Sequence, residues 1–177
     1  MKETVNKVKW FLPWQDQEEE AWLDKQSSSG LHLRKVNLFG KYTFDVGEPK
    51  EYIYRLDFHS EIKDKESYLG LYEDAGWEYI GENSWQYFRK ASSDHSMTEI
   101  FTDNQSKIKK YERLRSYYGA FLLIYFSVFL VISGPRDTFP WLNLLLILAY
   151  IPLLAILGIS VFKISNRIKT LRASLQE

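Results

Sequence analysis

An apolar stretch near the C-terminus reads YYGAFLLIYFSVFLVISG (117–134), PRDTFP (135–140) and WLNLLLILAYIPLLAILGISVF (141–162). As helices, its two long runs would measure about 27 Å and 33 Å, and both lengths match a hydrocarbon core of about 30 Å. The short segment between them contains two prolines, which favours a tight turn. The pattern predicts a membrane hairpin with transmembrane helices at 117–134 and 141–162 and an extracytoplasmic loop at 135–140.

A buried helical hairpin inside a soluble protein is the alternative interpretation of the two runs. Helices that are apolar on every side need a large protein shell around them. The 116 residues that precede the first run could hardly supply that shell and also form a domain of their own. The membrane interpretation is therefore favoured.

Charge is unevenly distributed, although the totals of 23 basic and 23 acidic residues are equal. Residues 1–106 carry 13 basic and 20 acidic residues, a net charge of −7, whereas 107–116 carry five basic and one acidic, and 163–177 four basic and one acidic. Because Lys and Arg near transmembrane ends stay in the cytoplasm, both termini are expected there. This basic collar, expected to meet anionic lipid, consists of Lys107, Lys109, Lys110, Arg113, Arg115, Lys163, Arg167, Lys169 and Arg172.

These patterns predict the domain organisation and the location. An acidic cytoplasmic α+β head (1–106) is followed by a basic juxtamembrane helix (107–116), the hairpin and a basic cytoplasmic tail (163–177). The N-terminal segment lacks the apolar run of a cleavable signal, and the absence of cysteine excludes disulfides and thiolate chemistry. We expect a two-pass protein of the cytoplasmic membrane.

The first half of the head predicts a strand, a helix and two further strands. Residues 5–14 alternate polar and apolar side chains at first and are expected to form the first strand. Asp16 is expected to cap the following helix, whose acidic first turn at 18–20 should be exposed to solvent. Gly30 is expected to end this helix. One strand is predicted before Gly40 and another after it.

The second half repeats this order of elements. Residues 51–58 alternate strictly and give the clearest strand signal of the chain. A second helix is predicted at about 64–75, followed by strands at 77–81 and 85–89 and one further edge strand at 97–101.

Matched residues in the two halves are separated by 46 positions, which favours duplication over chance. The predicted fold class is α+β, with duplicated βαββ units that form one antiparallel sheet with two helices on one face. The matched pairs are Trp22 with Tyr68, Leu23 with Leu69, Gly30 with Gly76, Leu31 with Trp77, and Leu33 with Tyr79.

No catalytic constellation is recognisable, so we predict neither enzymatic activity nor a cofactor or metal. His32, His59 and His95 are not spaced to share one metal ion. The serines at 27–29 lack the setting of a nucleophile, and the apolar spans carry no ionisable residue that would mark an ion path. An enzyme with an unrecognised site, using Asp57, His59 or Glu66, remains an alternative.

Aromatic residues of the head allow two interpretations, a packed core or a surface for a ligand or partner. Nucleic acid is disfavoured as a partner, because a head with a net charge of −7 repels phosphate. The candidate ligand or partner surface consists of Trp22, Tyr42, Tyr54, Trp77, Tyr79 and Trp85.

Several motifs of the head together resemble a bacterial family, the domain of unknown function 2812, over residues 8–111. They are EAWL (20–23), GKYTFDVGEP (40–49), YIYRLDF (52–58), DAGWEY (74–79), WQYFRK (85–90) and EIF (99–101). The resemblance implies a membrane protein, mostly of Gram-positive bacteria, that ends in a hydrophobic hairpin and is often encoded beside PadR-type transcriptional repressors. It implies no activity.

Two non-enzymatic functions remain open. The chain is expected to be a membrane-anchored regulatory or accessory protein whose head binds a ligand or protein partner at the membrane. The alternative is a subunit of a membrane complex such as an exporter, with the hairpin as its interface. The oligomeric state does not follow from the sequence.

Overall fold

Two units make up the chain in the computed structural model, Met1–Lys110 and Tyr111–Glu177. The structure describes residues 3–37, 39–92, 99–101, 103–134 and 140–175. His95 lies outside these ranges.

The first unit alternates strands and helices as the sequence predicts. Its fold class, α+β with antiparallel strands, is confirmed. Its elements are β1 (Thr4–Val8), α1 (Asp16–Ser28), β2 (Leu31–Val36), β3 (Lys41–Val46), β4 (Tyr52–Asp57), α2 (Lys65–Asp74), β5 (Glu78–Glu82) and β6 (Gln86–Ala91).

The strands form two three-stranded antiparallel sheets, in the orders β1-β3-β2 and β4-β6-β5. The prediction of one continuous sheet was wrong in this respect. Each βαββ unit builds its own sheet, because its last strand pairs with both of the others. Alternation along a strand shows which face is buried, but it does not show which edges pair.

Equivalent irregularities in the two halves support the duplication. Gly30 and Gly76, which follow α1 and α2, both have a φ of 81°. The ladder of β2 shifts register between Leu33 and Lys35, and that of β5 shifts 46 residues later, between Tyr79 and Gly81. The repeated unit thus includes the position of a β-bulge.

Several predicted boundaries differ from the structure. β1 ends at Val8 and does not continue to residue 14. Gln15, not Asp16, occupies the N-cap of α1, and the Gln15 side chain makes no capping hydrogen bond. The cap of α2 is Asp64, which accepts a hydrogen bond from the backbone N–H of Ser67 (3.0 Å). The edge strand predicted at 97–101 lies partly outside the described residues, and residues 99–101 are not in a strand.

The core of the first unit is rich in aromatic side chains. Tyr54, Phe44 and Phe88 are 0% exposed, and Leu23, Leu33 and Leu56 are at most 2% exposed. Phe44 and Phe88 lie on the middle strands of their sheets. Large rings therefore fill the interior of a domain with few branched aliphatic residues.

Substituting Gly30 by alanine should lower the free energy of unfolding of the head by about 2 kcal/mol or more. A Cβ at this position would lie 2.5 Å from the carbonyl oxygen of Gly47, and a φ of +81° disfavours any L side chain. Gly70→Ala is the matched control, because Gly70 lies within α2 and an added Cβ would meet nothing within 4 Å. It should stabilise the head by up to about 1 kcal/mol. Equal effects in denaturant unfolding would contradict this account.

The second unit contains most of α3 (Asn104–Ile132) and all of α4 (Pro140–Ala173). Both helices are long and apolar enough to cross a membrane. Of the most apolar 18-residue stretch of each helix, 0% is buried in α3 and 11% in α4. They run antiparallel as a hairpin. The rings of Tyr125 and Tyr150 are 6.2 Å apart, Arg167 lies 5.0 Å from the ring of Tyr111, and Arg172 pairs with Glu112.

Candidate functional site

One face of α1 carries carboxylates into the interior of the head. Asp16, Glu19 and Glu20 are 1%, 3% and 9% exposed, and they share this face with Leu23 because residues three, four and seven apart lie above one another on a helix. The predicted solvated first turn was therefore wrong for Glu19 and Glu20, while Glu18 is exposed. Such burial of acidic side chains is uncommon unless they are paired.

Two carboxylates of α1 bind the backbone of β4. Glu20 accepts a hydrogen bond from the N–H of Leu56 (2.9 Å), and Asp24 accepts one from the N–H of Tyr54 (2.6 Å). β4 is an edge strand of its sheet, so no neighbouring strand in that sheet uses these amides. The carboxylates satisfy the buried donors and close the edge.

Glu19 joins the two sheets. Its Oε1 accepts hydrogen bonds from the hydroxyls of Tyr42 on β3 and Tyr87 on β6, both at 2.7 Å. Burial raises the pKa of Glu19, and the two hydroxyl groups oppose this shift. The pKa of Tyr87 is raised well above its ordinary value, chiefly by burial. Both hydroxyls therefore remain donors at neutral pH.

Lys110 brings the first turns of α3 into the same cluster. Its Nζ lies 2.8 Å from Oδ2 of Asp16 and 3.0 Å from the carbonyl oxygen of Leu56. The ammonium group also lies 5.5 Å from the ring of Trp85. Lys110 is 5% exposed, so its predicted contact with lipid was wrong, and the residue holds α1, β4 and α3 together instead.

The other residues of the basic collar are at least partly exposed to solvent. Lys109, Lys163, Lys169 and Arg172 are exposed, and Lys107, Arg113, Arg115 and Arg167 are half-buried. Lys107 pairs with Glu99 at 3.0 Å. Their contact with anionic lipid stays a prediction.

The stability of the head should fall as pH rises from about 5 to about 8. Burial raises the pKa of Glu20 from 4.5 to about 7, against the opposing charge of Lys110. The folded head thus binds this proton more tightly than the unfolded chain does. The stabilisation is complete below pH 4.5 and is lost as pH rises through 7. A pKa shift of this size contributes about 3 kcal/mol at most to the free energy of unfolding.

Glu20→Gln tests this pH dependence, because the amide oxygen can still accept from Leu56 and the side chain no longer titrates. Denaturant unfolding at several pH values should give a flatter profile for Glu20→Gln than for the natural chain. Glu18→Gln, at an exposed position, should leave the profile unchanged. An unaltered slope in Glu20→Gln would show that another group is responsible.

A further buried carboxylate, Asp57 at the end of β4, attaches α2 to its sheet. It is 0% exposed and accepts hydrogen bonds from the hydroxyls of Tyr68 (2.9 Å) and Tyr72 (3.0 Å). Nε2 of His59 lies 3.2 Å from Oδ2 of Asp57. Since α2 has no fully buried residue, these bonds and the ring contacts of Tyr68 and Tyr72 hold it in place.

The structure therefore brings together two of the three residues considered for an unrecognised catalytic site. Asp57 and His59 are in contact, whereas Glu66 is exposed on α2. Among the residues that the structure describes, no group of three or more His, Cys, Asp or Glu is arranged to hold a metal ion. The geometry around Asp57 is that of a structural attachment.

Most of the predicted aromatic ligand surface lies in the core. Tyr42, Tyr54, Trp77 and Trp85 are at most 7% exposed, and the hydroxyl of Tyr54 accepts from the N–H of Leu33 (3.1 Å). Trp22 and Tyr79 are half-buried. An open depression of about 280 Å³ is lined by other residues: Lys50, Glu51, Tyr52, Ala91 and Ser92.

Fold and site define the class of protein, a duplicated α+β head attached to two helices that could cross a membrane. The family model described as "Protein of unknown function (DUF2812)" matches residues 15–123, more than half of the chain. The chain belongs to this family, as the motifs of the head predict. The match includes Asp16, Glu19, Glu20 and Lys110. No curated protein and no solved structure matches the chain.

Proposed function

We propose that this chain is a non-enzymatic regulatory or accessory protein of the cytoplasmic membrane. Its hairpin crosses the bilayer twice with both termini in the cytoplasm, and its head binds a ligand or protein partner at the inner face. The acidic head, the basic residues around the apolar helices and the length of those helices support this arrangement.

The single observation that carries the proposal is the buried ion pair between Lys110 and Asp16. Helix α3 continues without interruption from Asn104 to Ile132, so its first turns belong to the head and its later turns to the apolar segment. A ligand or partner whose binding shifts α1 or β4 changes the surroundings of Lys110, and this change is transmitted to α3. This gives the head a physical means of communicating with the membrane segment.

The topology can be tested with single cysteines, because the natural chain contains none. A cysteine added near either terminus should resist a membrane-impermeant maleimide on intact cells, whereas Thr138→Cys in the predicted loop should react. Reaction of either terminus from outside would refute the topology.

The function can be tested by complementation of a deletion strain with three chains. The full chain should restore the phenotype, whereas the head without the hairpin and the Lys110→Met variant should not, even when they accumulate to the same level. Full complementation by a soluble head would refute the need for an anchor.

A second candidate function, a subunit of a membrane complex such as an exporter, is favoured by one observation. The most apolar windows of α3 and α4 are 0% and 11% buried, which leaves their sides open to helices of another protein as well as to lipid. Purification in mild detergent should then recover a stoichiometric partner that is lost when Ala155 and Gly158 on α4 are enlarged. Recovery of a single species would exclude this candidate.

A further inference from the structure

One end of the first sheet, where β1 stops and β3 starts, carries exposed apolar side chains. Val8, Trp10, Leu12 and Phe39 are 67%, 69%, 41% and 74% exposed. The N–H of Lys9 donates to the carbonyl oxygen of Gly40 (2.9 Å), which holds the segment after β1 against the β2–β3 turn. We call Val8, Trp10, Leu12 and Phe39 the tip patch. Apolar surface concentrated in this way indicates an interaction site.

The segments that form this end are basic, although the head as a whole is acidic. The segments 8–12 and 37–41, which form this end, contain Lys9 and Lys41 and no Asp or Glu, within a head of net charge −7. Lys41 is exposed and lies opposite Val8 in the β1–β3 ladder. Lys9 is exposed next to Trp10 in the chain, and its Nζ lies 4.8 Å from the ring of Phe11 and 4.9 Å from that of Trp22, both of which are half-buried. Exposed aromatic residues with lysines and without carboxylates are suited to an anionic bilayer surface.

The tip patch also lies near the point at which the chain leaves the head. Trp10 precedes Asp16 by six residues, so their Cα atoms are at most about 20 Å apart. Asp16 binds Lys110, the last residue of the first unit. Under the proposed function α3, to which Lys110 belongs, continues into the bilayer, so the patch has a membrane within its reach.

We propose that the tip patch inserts into the headgroup region of the anionic membrane that anchors the chain. Trp10 and Phe39 enter the boundary between headgroups and acyl chains, and Lys9 and Lys41 lie against lipid phosphates. This inference rests on the membrane anchoring in the proposed function. Its consequence is that this end of the first sheet lies against the bilayer.

An environment-sensitive fluorophore attached to Phe39→Cys tests the insertion in the full chain. The labelled protein is reconstituted in nanodiscs of phosphatidylcholine with or without phosphatidylglycerol. With phosphatidylglycerol, we expect a shift of emission to shorter wavelength and quenching by spin-labelled lipid. Lys9→Gln combined with Lys41→Gln should abolish the shift. Leu71→Cys, 73% exposed on α2, is the matched control and should show neither change.

Each alternative outcome overturns the proposal in a distinct way. Equal shifts with and without phosphatidylglycerol would refute recognition of anionic lipid. A shift without quenching by spin-labelled lipid would indicate contact with a protein, including a second copy. A label that stays in water while the chain is retained in the disc would refute the inference alone. Failure of the chain to enter the disc would refute the proposed function together with it.

Discussion

Replacing Lys110 by methionine should lower the free energy of unfolding of the head by about 3–5 kcal/mol. The substitution leaves the carboxylate of Asp16, whose side chain is 0% exposed, without the ammonium group 2.8 Å away. It also removes the donor to the carbonyl oxygen of Leu56. A buried charge without its partner is far more costly than a lost surface pair.

Denaturant unfolding of the full chain in detergent, followed by tryptophan fluorescence, measures this effect. Lys109→Met is the matched control, since Lys109 is exposed one position away, and its effect should stay within about 0.5 kcal/mol. Combining Lys110→Met with Asp16→Leu should recover much of the loss, because the Asp16 carboxylate is removed together with the ammonium group that paired with it. A loss that persists undiminished in the double variant would show that packing, not charge, determines the effect.

Truncating Phe88 to alanine should cost about 3–5 kcal/mol of unfolding free energy. The ring is 0% exposed on the middle strand of the second sheet. Its centroid lies 4.3 Å from the ring of Tyr72 and 5.5 Å from that of Tyr79. The cavity would therefore open beneath α2, which has no fully buried residue of its own.

The same unfolding measurement on Phe39→Ala supplies the comparison for Phe88→Ala. Phe39 is 74% exposed, so the same chemical change should alter stability by no more than about 0.5 kcal/mol. Hydrogen exchange of the amides of α2 should increase in Phe88→Ala before the rest of the head unfolds. A loss below about 1 kcal/mol would mean that α2 and its sheet close over the cavity.

Features of the fold that depend on neighbouring residues could be predicted from the sequence. Gly30 and Gly76 mark the ends of both helices, because a left-handed residue stops a helix locally. The 46-residue repeat recurs in the strand order and in the bulges. The division into two sheets could not be predicted, because each repeat presents the same alternation whether or not its edge strand pairs with the other repeat.

The candidate site was missed because its partners are far apart in the chain. Glu19 and Tyr87 are separated by 68 residues, and Asp16 and Lys110 by 94. From composition alone, an acidic run at the start of a helix is expected to be exposed to solvent. A lysine just before an apolar segment is expected to contact lipid. A weak signal existed, since Asp16, Glu19 and Glu20 share the face of Leu23.

The sequence by itself determined the two apolar helices, the duplicated order of strands and helices, and the separation of an acidic head from its basic flanks. Those features follow from periodicity and from charge along the chain, which need no knowledge of distant contacts. Only the tertiary structure decided that four carboxylates of α1 face the interior or the edge of β4, and that Lys110 belongs to the head. Whether an acidic side chain is buried depends on the partners that folding brings to it, because a carboxylate away from water needs an opposite charge or hydrogen-bond donors.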